Sequence, residues 1–244
     1  MNIDHPSVAQ IPQLRQLWKE AFGDTDAFLD HFYSKAFSPQ RCLCATVGCE
    51  LAAMAYWFSC GEYAYIYAVA TAQSHRRKGI CHALMEQIHS ILTQEGYAGC
   101  IVVPGEESLR EFYRGMGYEN FGGIHEFSCN AGTPLPLREI DAEEFATLRR
   151  KYLPADSVIQ EGVNLDFLSC WASYYEGGNA LVTAIWEDGE LKVMELLGDE
   201  NTAPDIVAAL GARSGSIRTP GDTPYAMHRP LNQNKAPKYF SFCF

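Results

Sequence analysis

Val69-Ala70-Thr71-Ala72-Gln73-Ser74-His75-Arg76-Arg77-Lys78-Gly79-Ile80-Cys81-His82-Ala83-Leu84 reads as a strand, a basic turn and the opening of a helix. In that order of elements, successive backbone N–H groups and a helix N-terminus converge on one point and form an anion cradle. Gly79 lets a phosphate approach the backbone, while Arg76, Arg77 and Lys78 offset the charge of a di- or triphosphorylated ligand. A solvated basic turn ahead of an ordinary helix is the alternative. This is nevertheless the strongest basic cluster in a chain of net charge −11.

Upstream, residues 11–21 and 26–37 carry apolar positions at helical spacing, among them Leu14, Leu17 and Trp18, and predict two short helices. Residues 42–47 and 51–58, parted by Gly48-Cys49-Glu50, predict a hairpin, and residues 63–70 a third, aromatic strand. Downstream, residues 79–93 align Ile80, Leu84 and Ile88 on one face of a helix that stops near Gly96. Residues 100–103 predict a buried strand, 108–114 a short helix, and 118–128 a strand broken at Gly122-Gly123. The result is a mixed α/β fold.

Two stretches resemble the GCN5-related N-acetyltransferase (GNAT) superfamily. Its acetyl-CoA signature is Arg or Gln, two residues, Gly, one residue, then Gly or Ala; Arg76-Arg77-Lys78-Gly79-Ile80-Cys81 matches at Arg76 and Gly79 and departs at Cys81. Leu109-Arg110-Glu111-Phe112-Tyr113-Arg114-Gly115-Met116-Gly117-Tyr118 resembles the second signature, an aromatic-flanked Tyr followed by a Gly-Tyr pair. The resemblance runs over residues 1 to about 130 in element order. It implies a mixed, mostly antiparallel sheet flanked by helices, and direct transfer of an acyl group from acetyl-CoA to an amine. Val69, Ala70 and Thr71 would hold the thioester and pantetheine arm through their backbones, and Arg76, Arg77, Lys78, Gly79, Ile80, Cys81 and His82 the pyrophosphate.

By the same resemblance Tyr113 would protonate the departing thiolate. A phenol near pKa 10 suits that task, because transfer between groups of similar pKa has little thermodynamic cost; a ring that fills the core is the other reading. For the general base, Glu62 precedes the central strand, although it also reads as a surface turn residue. The carboxylate of Phe244 is a second candidate, since Tyr239-Phe240-Ser241-Phe242-Cys243-Phe244 is too apolar for a loose tail and the chain resembles multidomain GNAT proteins of the Eis type. Tyr63, Tyr65 and Tyr67 share one strand face, lining either an acceptor pocket or the core. His82, Glu86 and His89 stand at helical spacing, which reads as a solvated face; no metal is expected.

Thr133-Pro134-Leu135-Pro136 is the linker candidate, dividing a catalytic domain over residues 1–131 from a smaller, degenerate GNAT-like α/β domain over 132–244. Three matches in the same order suggest the repeat, two at an offset of about 140, Glu50–Met54 with 190–194 and Phe28-Leu29 with Phe167-Leu168, and one at 116, 103–106 with 219–222. At the place of the basic turn the second half reads Leu197-Gly198-Asp199-Glu200-Asn201-Thr202, which is acidic and could not hold the same anion. The second domain is expected to wall the acceptor site or to serve assembly, including a homo-oligomer.

Nine cysteines without zinc spacing, no signal-peptide pattern and no apolar run of roughly 20 residues predict a reduced, cytoplasmic protein free of the membrane. The negative charge disfavours a nucleic-acid partner and a Fem-like aminoacyl-tRNA transferase, and favours a small-molecule or peptide amine. A non-catalytic acyl-CoA sensor is the reading from another class, with Cys81 its only hint.

Overall fold

The computed structural model describes residues 1–233 and 235–241. The chain divides into two compact units, Met1–Glu119 with Met227–Ala236, and Asn120–Ala226 with residues 237–241. No helix among the described residues is long and apolar enough to cross a membrane.

The first unit opens with β1 (Asn2–Asp4), α1 (Ile11–Phe22) and α2 (Asp26–Lys35). A three-strand meander follows, β2 (Cys42–Val47), β3 (Glu50–Cys60) and β4 (Tyr63–Thr71), then α3 (Ile80–Gln94), β5 (Gly99–Val102) and α4 (Glu107–Arg114). Its sheet runs β1-β2-β3-β4-β5, all neighbours antiparallel except the parallel pair β4–β5. The far side of β5 is taken by residues 227–230, which pair antiparallel from Met227 opposite Val102 to Pro230 opposite Gly99. Gly99 is required there, because a Cβ would stand 2.1 Å from His228 Nε2 and 2.9 Å from the Arg229 carbonyl.

Strand alternation separates two apolar faces. Ala64 and Ile66 of β4 join Leu84, Met85, Ile88 and Leu92 of α3 in one core. Tyr65 and Tyr67 point the other way: Tyr67 meets Trp18 of α1 at 5.7 Å between ring centroids and Phe58 at 5.5 Å. The tyrosine face of β4 is thus packed with aromatic rings from α1, α2 and β3.

The second unit carries β6 (Glu119–Asn130), β7 (Arg138–Ile140), α5 (Ala142–Tyr152), α6 (Val163–Leu168), β8 (Ser173–Gly177), β9 (Ala180–Glu187), β10 (Glu190–Gly198), α7 (Ala203–Ala209), β11 (Ser214–Pro220) and β12 (Thr223–Pro230). At Met227, β12 enters the first unit. The sheet order is β6-β11-β10-β9-β8-β7, with β10–β11 the parallel pair. Strand, two helices, a three-strand meander, a helix and a strand parallel to the meander's last member therefore occur in both units, in the same order. Phe28-Leu29 and Phe167-Leu168 stand in the second helix of each. Glu50–Met54, however, opens the second meander strand, whereas Glu190 opens the third, so an offset of 140 aligns unlike strands there.

Gly122-Gly123 does not break β6, which is continuous from Glu119 to Asn130. The glycine at 123 instead admits a neighbouring backbone, since a Cβ would lie 1.7 Å from the Gly221 carbonyl oxygen. Thr133 is held within the second unit, its N–H donating to Asp205 Oδ1 at 2.9 Å. At the centre of that unit, buried Arg149 of α5 makes a bidentate pair with Glu195 of β10 at 2.7 and 2.8 Å, and Tyr239 Oη donates to the same carboxylate at 2.9 Å.

Candidate active site

β4 and β5 pair only from Tyr63 opposite Gly99 to Tyr65 opposite Ile101. β4 continues to Thr71 while β5 ends at Val102, so the two parallel strands part over residues 66–71. On its other side β4 carries a bulge: Tyr67 faces Tyr56 and Ala70 faces Met54, which leaves Ala68 and Val69 together opposite Ala55. Ala68 has φ 51, a left-handed conformation that costs an L-residue roughly 1–2 kcal/mol. Strain of this kind persists only where surrounding structure enforces it, and it collects at functional sites. The bulge takes backbone groups of Ala68 and Val69 out of the ladder, next to the parting of the strands.

β4 leads into the basic turn. Residues 73–75 form one 3-10 turn, Arg77 has φ 59, Gly79 has φ 75, and α3 begins at Ile80. Two left-handed residues with Lys78 between them turn backbone N–H groups toward one side, ahead of a 15-residue helix. A Cβ on Gly79 would meet nothing within 4 Å, so the space beyond it is open. Arg76 Nε donates to the Thr71 carbonyl at 3.1 Å and Lys78 Nζ to the Ser74 carbonyl at 2.8 Å. These two cations brace the turn, and Arg77 projects exposed from it. His75 is buried beneath, its Nδ1 2.9 Å from Ser74 Oγ and its Nε2 3.7 Å from Glu50.

Ile80 is buried in the core and His82 is exposed on the first turn of α3. The Cys81 side chain packs against the core; burial raises its pKa, against a smaller opposing effect of a hydrogen bond with Thr71, so the thiol stays protonated at neutral pH. Tyr113 of α4 belongs to the core cluster against which Cys81 packs. Thr71 is thus linked to Cys81, and Cys81 shares one core cluster of the first unit with Tyr113. Tyr113 is 6% exposed, and burial, with Cys81 a smaller contributor, pushes its pKa well above that of a free phenol.

The end of α4 is closed by Gly117, φ 81, with Tyr118 N donating to the Tyr113 carbonyl at 3.1 Å and Gly117 N to the Arg114 carbonyl at 2.9 Å. This is a Schellman closure, and its accompanying apolar contact is between the Tyr113 and Tyr118 rings, 5.5 Å apart. Tyr118 Oη bonds His89 Nε2 at 2.8 Å and lies 3.2 Å from Cys100 Sγ. His82, Glu86 and His89 do not all meet: His89 is buried, bonded to Tyr118 and beside Arg229, Glu86 pairs with Arg229 at 2.7 Å and stands 3.3 Å from His89 Nδ1, and His82 faces solvent.

The structure places Glu62 in the exposed hairpin turn at the start of β4, six residues and about 20 Å of strand from the bulge. Phe244 lies outside the described residues. Sequence reasoning missed Asp24, in the turn between α1 and α2, whose Oδ2 accepts from Trp18 Nε1 at 2.7 Å and whose charge raises the pKa of Tyr67, after the larger effect of burial. It missed the Ala68 bulge as well. A lone Asp before a Thr cap reads as helix punctuation, and an alanine carries no sign of a left-handed conformation.

Residues 2–121 match the family model of the acetyltransferase (GNAT) domain. Among solved structures, the chain is similar to a GCN5-related N-acetyltransferase from Kribbella flavida, with 20% identity and a TM-score of 0.73 over 95% of this chain and 71% of that one. Its likeness to a GCN5-related N-acetyltransferase from Anabaena variabilis has the same TM-score of 0.73, at 14% identity over 95% and 73% of the two chains. Eis1 from Mycobacterium abscessus gives a TM-score of 0.68 at 15% identity, over 95% and 74%. At these identities the likeness is one of fold. No curated protein matches the chain in sequence.

Proposed function

We propose, from the premise that residues 2–121 are an acetyltransferase domain of the GNAT family, that this chain transfers an acetyl group from acetyl-CoA to a primary amine by direct attack. The observation that carries the reading is the continuity of one β4–α3 segment: a parted, bulged strand end followed immediately by a left-handed basic turn and a helix N-terminus. The first part offers unpaired backbone groups to a thioester carbonyl and the second offers N–H groups to a pyrophosphate.

In this reading Arg77 and the backbone N–H groups of Lys78, Gly79, Ile80, Cys81 and His82 bind the pyrophosphate, with Arg76 and Lys78 holding the turn in shape. Val69, Ala70 and Thr71 align the pantetheine arm by their backbones. The amine nitrogen attacks the thioester carbon, the C–S bond breaks, the amine's proton leaves to a base or to water, and Tyr113 protonates the thiolate. Asp24 replaces Glu62 as the carboxylate set toward the cationic acceptor, because Trp18 fixes it beside the tyrosine face of β4. The acceptor is a small-molecule or peptide amine, drawn by a chain of charge −11, and the protein works in the cytoplasm. The second unit is a degenerate copy of the same fold, whose acidic turn, residues 197–204, carries no cradle.

Isothermal titration with acetyl-CoA tests the reading on the wild type and on Arg76→Ala/Gly79→Asp. Micromolar binding that the double variant abolishes supports it. Absence of binding by the wild type sinks it.

A further inference from the structure

We propose that Arg229 is a positioning residue for Tyr113, holding the end of α4 from the opposite edge of β5. The inference rests on reading Tyr113 as the group that protonates the leaving thiolate.

Arg229 sits on the last strand of the first unit, its backbone registered opposite Cys100. Its Nη1 donates to the Met116 carbonyl at 2.9 Å, 113 positions away in the chain. Met116 lies in the Schellman turn, where carbonyls have no partner within the helix and a cation is favoured. The same nitrogen donates to Glu86 at 2.7 Å and lies 2.6 Å from His89 Nδ1. Nη1 has two N–H groups for these three neighbours, so one is shared; facing a group that only donates, His89 Nδ1 accepts, Glu86 at 3.3 Å from it is held through the guanidinium, and the imidazole proton falls on Nε2, directed at Tyr118 Oη. Arg229 thus holds the turn at two points: directly at Met116, and through His89 at Tyr118, whose backbone N–H bonds the Tyr113 carbonyl.

The arrangement leaves Tyr113 little room to pivot. Its carbonyl receives both Met116 N and Tyr118 N, and its ring meets the Tyr118 ring at 68°. Removing the guanidinium frees the Met116 carbonyl and the His89 tautomer together. The phenol would then sample orientations away from the thiolate, although no atom that touches acetyl-CoA has changed. Displacements of about 1 Å at a reacting group can lower a rate roughly a hundredfold, and a displaced helix end should lose somewhat less.

The test is a kinetic double-mutant cycle on the full chain. It follows thiol release from acetyl-CoA with spermidine, tyramine and Nα-acetyl-lysine methyl ester as acceptors. Arg229→Met is expected to lower kcat roughly tenfold with KM for acetyl-CoA within about twofold. In the Tyr113→Phe background the same change should have no further effect, because the two act as one unit. Arg229→Lys, which keeps the charge and the strand pairing, should recover part of the loss and serves in the same cycle if Arg229→Met does not fold. Losses that multiply, or an Arg229→Met enzyme at wild-type rate beside a slow Tyr113→Phe enzyme, overturn the positioning role alone. A Tyr113→Phe enzyme at wild-type rate overturns the acid assignment, and the positioning role with it.

Discussion

Tyr113 and Tyr118 stand edge to face, 5.5 Å apart, at the two ends of the hydrogen bond that closes α4. The residue assigned to chemistry is thereby packed against a residue that does none, and burial raises the pKa of both. This bears on the pH dependence. With its pKa raised above the usual 10, Tyr113 keeps its proton through neutral pH and up to about pH 10, so the thermodynamic match to a thiolate that a free phenol offers is reduced. Tyr113→Phe is expected to lower kcat about a hundredfold and leave acetyl-CoA affinity intact. In the wild type, kcat should show no alkaline limb between about pH 8 and 10; a fall there that Tyr113→Phe removes would assign the limb to this phenol and contradict its raised pKa.

The bulge gives a prediction of opposite signs for stability and activity. Ala68→Gly relieves a left-handed alanine, and the gain in folding free energy should reach about 1 kcal/mol after the added unfolded-state entropy. Turnover should fall, because the strain that fixes the backbone groups of residues 68 and 69 is gone. Urea unfolding and steady-state kinetics on one preparation decide it, and a variant both more stable and equally active speaks against a functional bulge.

Acid sensitivity follows from two buried histidines of the first unit. His89, held by burial and by Arg229, has its pKa lowered from 6.5 to about 4, and burial does the same to His228. The unfolded chain takes up these protons below pH 6.5 and the folded chain only near pH 4. Stability is therefore complete above pH 6.5 and declines as pH falls from 6.5 to 4, by on the order of 3 kcal/mol for His89. Glu86 faces His89 and offsets part of this, while Arg229 and His82 add to it. His89→Gln should flatten the decline by roughly half, as measured by urea midpoints at pH 7.5 and 5; an unchanged slope assigns the sensitivity elsewhere.

In the second unit, Gly123→Ala should cost more than about 3 kcal/mol, since its methyl would enter the Gly221 backbone. Gly105→Ala, with nothing within 4 Å, is the matched control and should fall within about 0.5 kcal/mol of wild type. Equal melting temperatures for the two would refute the close approach of residues 123 and 221.

Local signals carried far in this chain. Periodicity located α1 through α4 and β2 through β5 to within two residues at almost every boundary, because each has a clear apolar face and a glycine or cap at its ends. The strand, basic turn and helix of residues 69–84 were legible for the same reason: these residues are consecutive. What depended on distant pairing was not. Met227–Pro230 closes the edge of β5, yet nothing in Met-His-Arg-Pro names that partner. Three-residue β1 has too few positions to show a period. His89 reads as part of a solvated face, and Arg229 carries no local signal, until the fold brings them to Tyr118 and Met116. Glu62 was attractive by proximity along the chain, and the strand's rise of about 3.3 Å per residue removes it from the bulge.

The strand at 227–230 also governs when the first unit can exist. A ribosome must make residues 120–226 of the second unit before releasing the segment that seals β5, so the growing N-terminal half waits with an unpaired parallel-sheet edge, a known hazard for misassociation. Translation that stops between residues 83 and 226 yields a polypeptide with every residue of the basic turn and no completed sheet to carry it. Selection on residues 227–230 is then selection on the sheet that carries residues 69–84.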